Sequence, residues 1–342
     1  MGGIPELRTG LVTLAAQQPA DEPGVALDAV LRGRDLPTVP VLPRLGSTLL
    51  AQMVGAFEGV AEYTAGRVRV DPSVFGVRPA AARSADTAPF GVLELALRTW
   101  TEESMDLSAQ ALRVDMLGPV TLATTLLDSG LARATALDAA RMAAVYRSEA
   151  LVAACRRAGV LAPLVVVMVE PRLVGSAHPT FALSAREVRS LLDPVVDSID
   201  SAAGTSDVVI GIHVPGRSDL RTIISSGISL LSTPVDAALA GWAPWIQALL
   251  DNGGHVVWGA VPVDRPLGTH AELLWRHLRA VWRDLESAGV DARLLLRRSL
   301  VTTGDGLDRF AQAQMPGVLA LLDELGERVG QHAAATMVPS LA

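Results

Sequence analysis

The sequence predicts a single (β/α)8 barrel spanning all 342 residues, on three observations. Eight short stretches rich in β-branched residues alternate with longer stretches of helical periodicity. Several short stretches are continuously apolar, as expected of strands buried on both faces of a parallel sheet. The alternation continues along the whole chain, which favours one barrel over an open doubly wound sheet.

The predicted strands follow one another with room for a helix in most connections. They are residues 9–14, 38–43, 111–117, 163–169, 207–214, 227–232, 254–261 and 299–304. Amphipathic helices are predicted over 136–159 and 271–289, each with a C-terminal glycine as its cap. The interval 44–110 exceeds one connection, so we expect an irregular excursion around 64–90 within the single domain.

Composition excludes several classes of function. Half of the residues are hydrophobic, so the chain can bury a large core. The formal net charge is −7 and no basic run occurs, which argues against nucleic acid as a partner. All basic side chains are arginine, and the absence of lysine excludes a Schiff-base lysine and a P-loop.

The single cysteine and the first residues carry little functional signal. Cys155 alone allows neither an internal disulfide nor a multi-cysteine metal site, and its helical surroundings predict packing. The apolar run at 11–16 is too short for a signal or membrane segment. We therefore expect a cytoplasmic protein without membrane contact.

In a (β/α)8 barrel the chemistry lies in the loops after the carboxyl ends of the strands. The corresponding positions are Thr13, 43–47, 118–121, Glu170, His213, Ser232, Thr233, 262–265 and 302–305. Four tryptophans follow helical spacings on the helices flanking the seventh strand: Trp242, Trp245, Trp275 and Trp282. Core packing is their default role, and an interface with a protein partner or a second copy is the alternative.

Strings in order along the chain resemble landmarks of the catalytic barrel of cobalamin-independent methionine synthase. They are TGLVTL, LPTVPVLPRLG, VDMLGPVTLATTLL, VVMVEPRLV, GIHVPG, GISLLS, VVWGAVPV and VTTGDGLD. The resemblance is strongest for short, actinobacterial-type members of the uroporphyrinogen decarboxylase and methionine synthase superfamily. It implies a zinc ion that activates a thiol substrate, which a methyl-tetrahydrofolate then methylates.

The family's zinc ligands are largely missing from this sequence. His213 matches the histidine of the family's HxC motif, but Pro215 stands at its cysteine. Leu231 or Ser232 occupies the acidic position, and the segment 303–305 replaces the second cysteine. Because zinc of this class needs three protein ligands, we expect none to be held.

Two consequences follow for the family's reaction. A different ligand set of His213, Glu170 and Asp305 is conceivable at the barrel mouth, although no spacing demands it. Val169 stands where the family has the aspartate that binds the substrate amine. Without zinc a thiol stays mostly protonated at neutral pH, so we expect no useful methylation of homocysteine.

The remaining polar residues at the mouth define a candidate site. Glu170 and His213 are the candidate acid or base residues, and the alternative for His213 is a remnant of the family motif that is hydrogen-bonded within the mouth. The candidate substrate-binding residues are Thr13, Thr121, Arg217, Arg265, Gly304 and Asp305. Arg265 and the turn 303–306 fall where barrels often bind phosphate or carboxylate, so a folate or another small anion is the expected ligand.

Two function classes fit these residues. One is a zinc-free transferase or lyase acting on a small anionic or pterin-like substrate. The other is a non-catalytic barrel, or pseudoenzyme, that binds a pterin or a protein partner. The sequence leaves open whether the chain is an enzyme.

Overall fold

The computed structural model describes residues 4–32, 34–64, 66–79, 81, 91–204, 207–264 and 270–337. Its centre is a curled six-stranded parallel sheet in which the strands are adjacent in chain order. These strands are β5 Leu112–Leu117, β6 Leu164–Val169, β7 Val208–His213, β8 Leu230–Pro234, β9 His255–Val261 and β10 Ser299–Thr303. Each corresponds to one of the last six predicted strands.

Eleven α-helices lie in the described part of the chain, most of them in the connections between strands. They are α1 Pro23–Val30, α2 Leu49–Val54, α3 Gly91–Glu102, α4 Pro119–Asp128, α5 Arg133–Arg157, α6 Ala185–Ala203, α7 Leu220–Ile224, α8 Ala243–Asp251, α9 Ala271–Ser287, α10 Ala292–Arg297 and α11 Met315–Met337. The two helices predicted in detail are confirmed as α5 and α9. Gly159 and Gly289 follow them with positive φ, the conformation that favours glycine there.

The first two predicted strands are extended segments, not continuous strands. Isolated parallel bridges join Val12 to Val301 on β10, and Thr38 to Arg113 on β5. A further bridge joins Gln17, three residues after the first segment, to Val41 in the second. Pro40 and Pro43 interrupt the second segment, and because proline has no N–H it cannot donate to a continuous ladder.

Alternation along the strands creates two cores. Residues on the inner side of the sheet form a compact apolar cluster, which includes Val165, Val167, Val209, Val257 and Leu300. Residues on the outer side pack with the helices into the main core. The inner cluster closes the amino-terminal part of the sheet, which leaves polar side chains for the carboxyl edge.

The excursion before α3 is more regular than expected. Four short strands form two antiparallel pairs, β1 with β4 and β2 with β3. Their bounds are β1 Phe57–Glu58, β2 Val60–Thr64, β3 Arg67–Val70 and β4 Gly76–Val77. Residues 82–90 of the predicted excursion lie outside the described residues.

Within the described ranges, no helix is both long enough and apolar enough to cross a membrane.

Candidate functional site

The carboxyl ends of β5 and β6 meet at Glu170, which is fully buried. The Val120 N–H donates to its Oε1 at 2.8 Å, and the Thr121 N–H and Oγ1 both donate to its Oε2 at 2.6 Å. These donors belong to the first turn of α4, where free N–H groups favour a carboxylate. Gly118 lies directly below, and a Cβ there would overlap the Glu170 carboxyl group. Glu170 therefore fastens the start of α4 to β6.

Two opposing effects act on the pKa of Glu170. Burial has the larger effect, so the pKa is raised to about 7 overall. The hydrogen bonds from Thr121 and Val120 lower the pKa and offset burial in part. In all three hydrogen bonds the carboxyl oxygens are the acceptors. This arrangement suits the ionised form of Glu170. The contacts of Glu170 are those of a residue that anchors a helix. Its catalytic role stays a prediction.

A second polar group lies at the carboxyl ends of β7, β8 and β10. His213 ends β7 and pairs in register with Ser232 on β8, and its Nδ1 lies 2.9 Å from Ser232 Oγ. Its Nε2 lies 3.6 Å from Asp305 Oδ1, just beyond β10. The His213 side chain is only 2 % exposed, and its Nε2 has no hydrogen-bond partner among the described residues.

Asp305 connects this buried histidine to the outside. Its side chain is 45 % exposed, and its Oδ1 also accepts the N–H of Gly306 at 2.8 Å. Burial acts to raise the pKa of Asp305, but His213, the Gly306 N–H and the charge of Arg309 together hold it below its usual value. Asp305 is thus an ionised carboxylate with one face toward His213.

A cavity of about 600 Å³ opens over the ends of β7 to β10. Asp305, Gly304 and Arg217 line it, which brings together three of the residues predicted from the sequence. Its apolar wall comes from the loops after β7, β8 and β9 and from α9. The described apolar residues there include Pro215, Leu220, Leu239, Trp242, Val263 and Leu274.

Charge in the cavity differs from the anion site expected from the sequence. Among the described lining residues are four aspartates and two arginines. Arg217 is exposed and is ion-paired with Asp236 at 2.8 Å. The amide of Gly304 donates to Val261 O, and that of Gly306 donates to Asp305, so neither is free for an anion. Arg265 lies outside the described residues.

Thr13 and Thr121 lie elsewhere. Both are buried, and neither is among the described residues that line the cavity. Thr13 Oγ1 is 3.1 Å from Thr38 Oγ1, which links the two extended N-terminal segments. Thr121 belongs to the Glu170 network and also accepts the Arg172 N–H. Their predicted substrate-binding roles stay predictions.

The residues present do not fit the zinc ion that the family resemblance implies. The side chain of Pro215 offers no lone pair to a metal. Ser232 Oγ already contacts Nδ1 of His213, the imidazole that would have to bind the ion. His213 and Asp305 supply two donors, whereas a zinc site of this class takes three from the protein. Glu170 is held by α4, and the described residues contain no group of three or more His, Cys, Asp or Glu side chains suited to a metal.

Sequence reasoning missed several cavity residues. Ser218 lines the cavity, is 3 % exposed, and its Oγ has no partner among the described residues. Gln17 and Asp308 flank Gly306, where an added Cβ would overlap Gln17 Oε1 and come within 3.1 Å of Asp308 Oδ1. Asp308 follows the turn 303–306 by two residues, and this proximity in the sequence could have identified it. No feature of the sequence indicated Ser218 or Gln17.

The four tryptophans divide between core and cavity. Trp282 is buried and packs edge-on against Trp258 and Trp275, so it has no surface for a partner. Trp242 is half-buried and lines the cavity. Trp245 is half-buried beneath the Arg221 guanidinium. The core packing expected by default is therefore found for Trp282, and the alternative of an interface stays a prediction for the other three.

Similarity to solved structures was found at the level of the fold. No protein-family model and no curated protein matches the sequence. A methyltransferase from Methanosarcina mazei matches with a TM-score of 0.53 and 16% identity, over 94% of this chain and 95% of that one. A B12-independent methionine synthase from Shewanella sp. W3-18-1, in complex with selenomethionine, matches with a TM-score of 0.51 and 15% identity, over 98% and 97%. At such identity the likeness establishes a shared fold only.

Proposed function

We propose that the protein is a diverged barrel enzyme, a zinc-free transferase or lyase whose small substrate binds in the cavity above β7 to β10. The observation that carries this proposal is the His213–Asp305 pair. It places a buried imidazole behind a carboxylate that reaches the cavity. His213 Nε2 is buried without a hydrogen-bond partner among the described residues, and an unpartnered buried nitrogen next to a carboxylate that lines a cavity supports a role in binding or chemistry.

The proposed roles of Asp305, His213 and Ser232 follow from where each side chain lies relative to the cavity. Asp305 touches the cavity, so it is the group that can exchange a proton with a bound substrate. His213 does not reach the described cavity wall, and it acts through Asp305 as a positioning residue. Ser232 holds the ring of His213 through Nδ1, which leaves Nε2 directed at Asp305.

We also propose that the two extended N-terminal segments complete an eight-stranded barrel. Support comes from hydrogen bonds on both sides of the gap. Thr13 N–H donates to Val301 O at 3.0 Å, and Val39 N–H donates to Arg113 O at 2.9 Å. A closed barrel would hold the strand ends rigid and so keep the site formed without a metal.

Turnover of a metabolite extract tests the proposal. Purified protein with excess EDTA is incubated with a small-molecule extract, which is then compared by mass spectrometry with extracts given Asp305→Asn or Asp138→Asn. Asp138 is an exposed residue of α5 and serves as the matched control. We expect at least one compound to be consumed by the unmodified protein and the control, and consumption by Asp305→Asn to fall about 100-fold.

Two results would overturn it. Equal consumption by Asp305→Asn would remove Asp305 from the chemistry. No consumption by any of the proteins would favour the alternative of a non-catalytic barrel that only binds its ligand.

A further inference from the structure

We propose that the cavity binds an amine in its cationic form, attached to an apolar body, through Asp305, Asp308 and Gln17. This inference rests on the proposed function and specifies its substrate class, which differs from the anion expected from the sequence. It concerns the turn after β10, because Asp305, Asp308 and Gln17 all line the cavity there.

The grouping is a consequence of Gly306. The absence of a side chain there allows Gln17 Oε1 and Asp308 Oδ1 to approach the same point above its Cα. The Leu307 N–H donates to Gln17 O at 2.9 Å and fixes the two segments to each other. Asp305 precedes this point by one residue. Two carboxylates and an amide oxygen are acceptors, and an ammonium group is the small ligand that supplies several donors at once.

A buried atom gives independent support for a ligand in this cavity. Ser218 lines the cavity and is 3 % exposed, and its Oγ lacks a partner among the described residues. His213 lies behind Asp305, with its Nε2 3.6 Å from Asp305 Oδ1, so a ligand in the cavity meets the carboxylate of Asp305. A cationic donor pairs with this carboxylate, whereas an anion would be repelled by it.

Charge and shape agree on the rest of the ligand. Arg217 is neutralised by Asp236, which leaves Arg309, whose charge acts on Asp305, beside the two carboxylates of Asp305 and Asp308. Beyond the polar end, Trp242, Leu239 and Leu274 supply an apolar wall. Such a cavity suits an amine carried by an alkyl or aryl group.

A series of three ligands of equal length tests the inference. Calorimetry measures the dissociation constants of 4-phenylbutylamine, 4-phenylbutanol and 4-phenylbutanoate at pH 7. We expect the amine to bind at least about tenfold more tightly than the alcohol, and the carboxylate to bind most weakly. Asp305→Asn and Asp308→Asn should each reduce this preference for the amine to less than about threefold.

Two further variants complete the test. Gly306→Ala displaces Gln17 and should also reduce the preference, whereas Asp138→Asn, an equal charge change on α5, should leave it unaltered. Tighter binding of the carboxylate, or an amine preference that survives in both aspartate variants, would overturn the inference. Because turnover is measured separately, loss of amine preference with Asp305-dependent turnover would reject the amine and keep the enzyme. Amine binding without turnover would do the reverse.

Discussion

At the carboxyl ends of β5 and β6 the buried polar groups satisfy one another, whereas at the ends of β7 and β10 they face a cavity. Glu170 accepts three hydrogen bonds and is fully buried. His213 has one contact to Ser232 and a second nitrogen without a hydrogen-bond partner in the described chain. Both residues end neighbouring strands and even share a bond, since the Glu170 N–H donates to His213 O at 2.9 Å.

The difference separates stability from function along one edge. A satisfied buried network fixes an element, and removing one member leaves the others unsatisfied. An unsatisfied group beside a cavity contributes little to the fold and remains available to a ligand. Changes on the β5–β6 side should therefore lower stability, and changes on the β7–β10 side should alter binding.

The largest expected effect is that of Gly118→Ala. The new Cβ overlaps the Glu170 carboxyl group and forces it away from α4, so the free energy of unfolding should fall by about 3 kcal/mol or more. Urea unfolding followed by circular dichroism measures it. Gly24→Ala in α1 is the control, because its Cβ meets no described atom. Equal effects of the two variants would mean that Glu170 does not anchor α4.

A second prediction concerns His255, a buried histidine that begins β9 at the amino edge of the sheet. Burial lowers the pKa of His255 to about 4, below its unfolded value of about 6.5, so it is neutral in the fold. The unfolded chain takes up the proton first as the pH falls. The stability that comes from keeping His255 neutral is therefore complete above pH 6.5 and is lost as the pH falls toward 4, where the free energy of unfolding is lower by about 3 kcal/mol.

His255→Gln tests this pH dependence. Its stability should fall less between pH 6.5 and pH 4 than that of the unmodified protein, as measured by urea unfolding at several pH values. Identical slopes for the unmodified protein and His255→Gln would contradict the prediction.

A smaller effect is expected from Thr121→Val. The variant keeps the shape of the side chain and removes one hydrogen bond to Glu170, so stability should fall by about 1 kcal/mol. Ser232→Ala, which removes a single contact at the cavity end, should cost less. Thermal unfolding of both proteins checks the order, and the reverse order would remove the contrast between the two ends.

The smallest effect concerns zinc. Elemental analysis after dialysis should find less than about 0.1 zinc per chain, since the donor set is short of the three protein ligands required. Added EDTA should leave the melting temperature unaltered. About one tightly held zinc per chain would show that the ligands have been misjudged.

The sequence predicted the parallel sheet well because its strands are continuous apolar runs with few alternative structures. Six of the eight became strands with the expected bounds to within a few residues. The first two predicted strands did not become continuous strands, since each is joined to the sheet by a single bridge. Pro40 also interrupts the second of them. The four strands before α3 were missed because segments as short as Phe57–Glu58 carry too little periodicity.

The site was predicted in position and less well in chemistry. Strand ends correctly placed His213 and Asp305 near each other, but the same rule placed Glu170 and Thr121 with them. Which of these groups satisfy one another depends on the rotation of α4 relative to β6, and no local pattern encodes it. The charge of the cavity depended on Asp308, which lies beyond the strand-end positions.

We propose that the carboxyl edge of the sheet divides into a structural half at β5 and β6 and a ligand-binding half at β7 to β10. The most direct test measures two quantities, unfolding free energy and 4-phenylbutylamine affinity, in Glu170→Gln and Asp305→Asn. Glu170→Gln should lose about 2 kcal/mol of stability, because its new amide faces three donors, and should keep its amine affinity in the folded fraction. Asp305→Asn should lose less than about 1 kcal/mol and bind the amine about tenfold more weakly. Comparable losses of stability in both variants, with amine affinity unaltered in Asp305→Asn, would contradict the division.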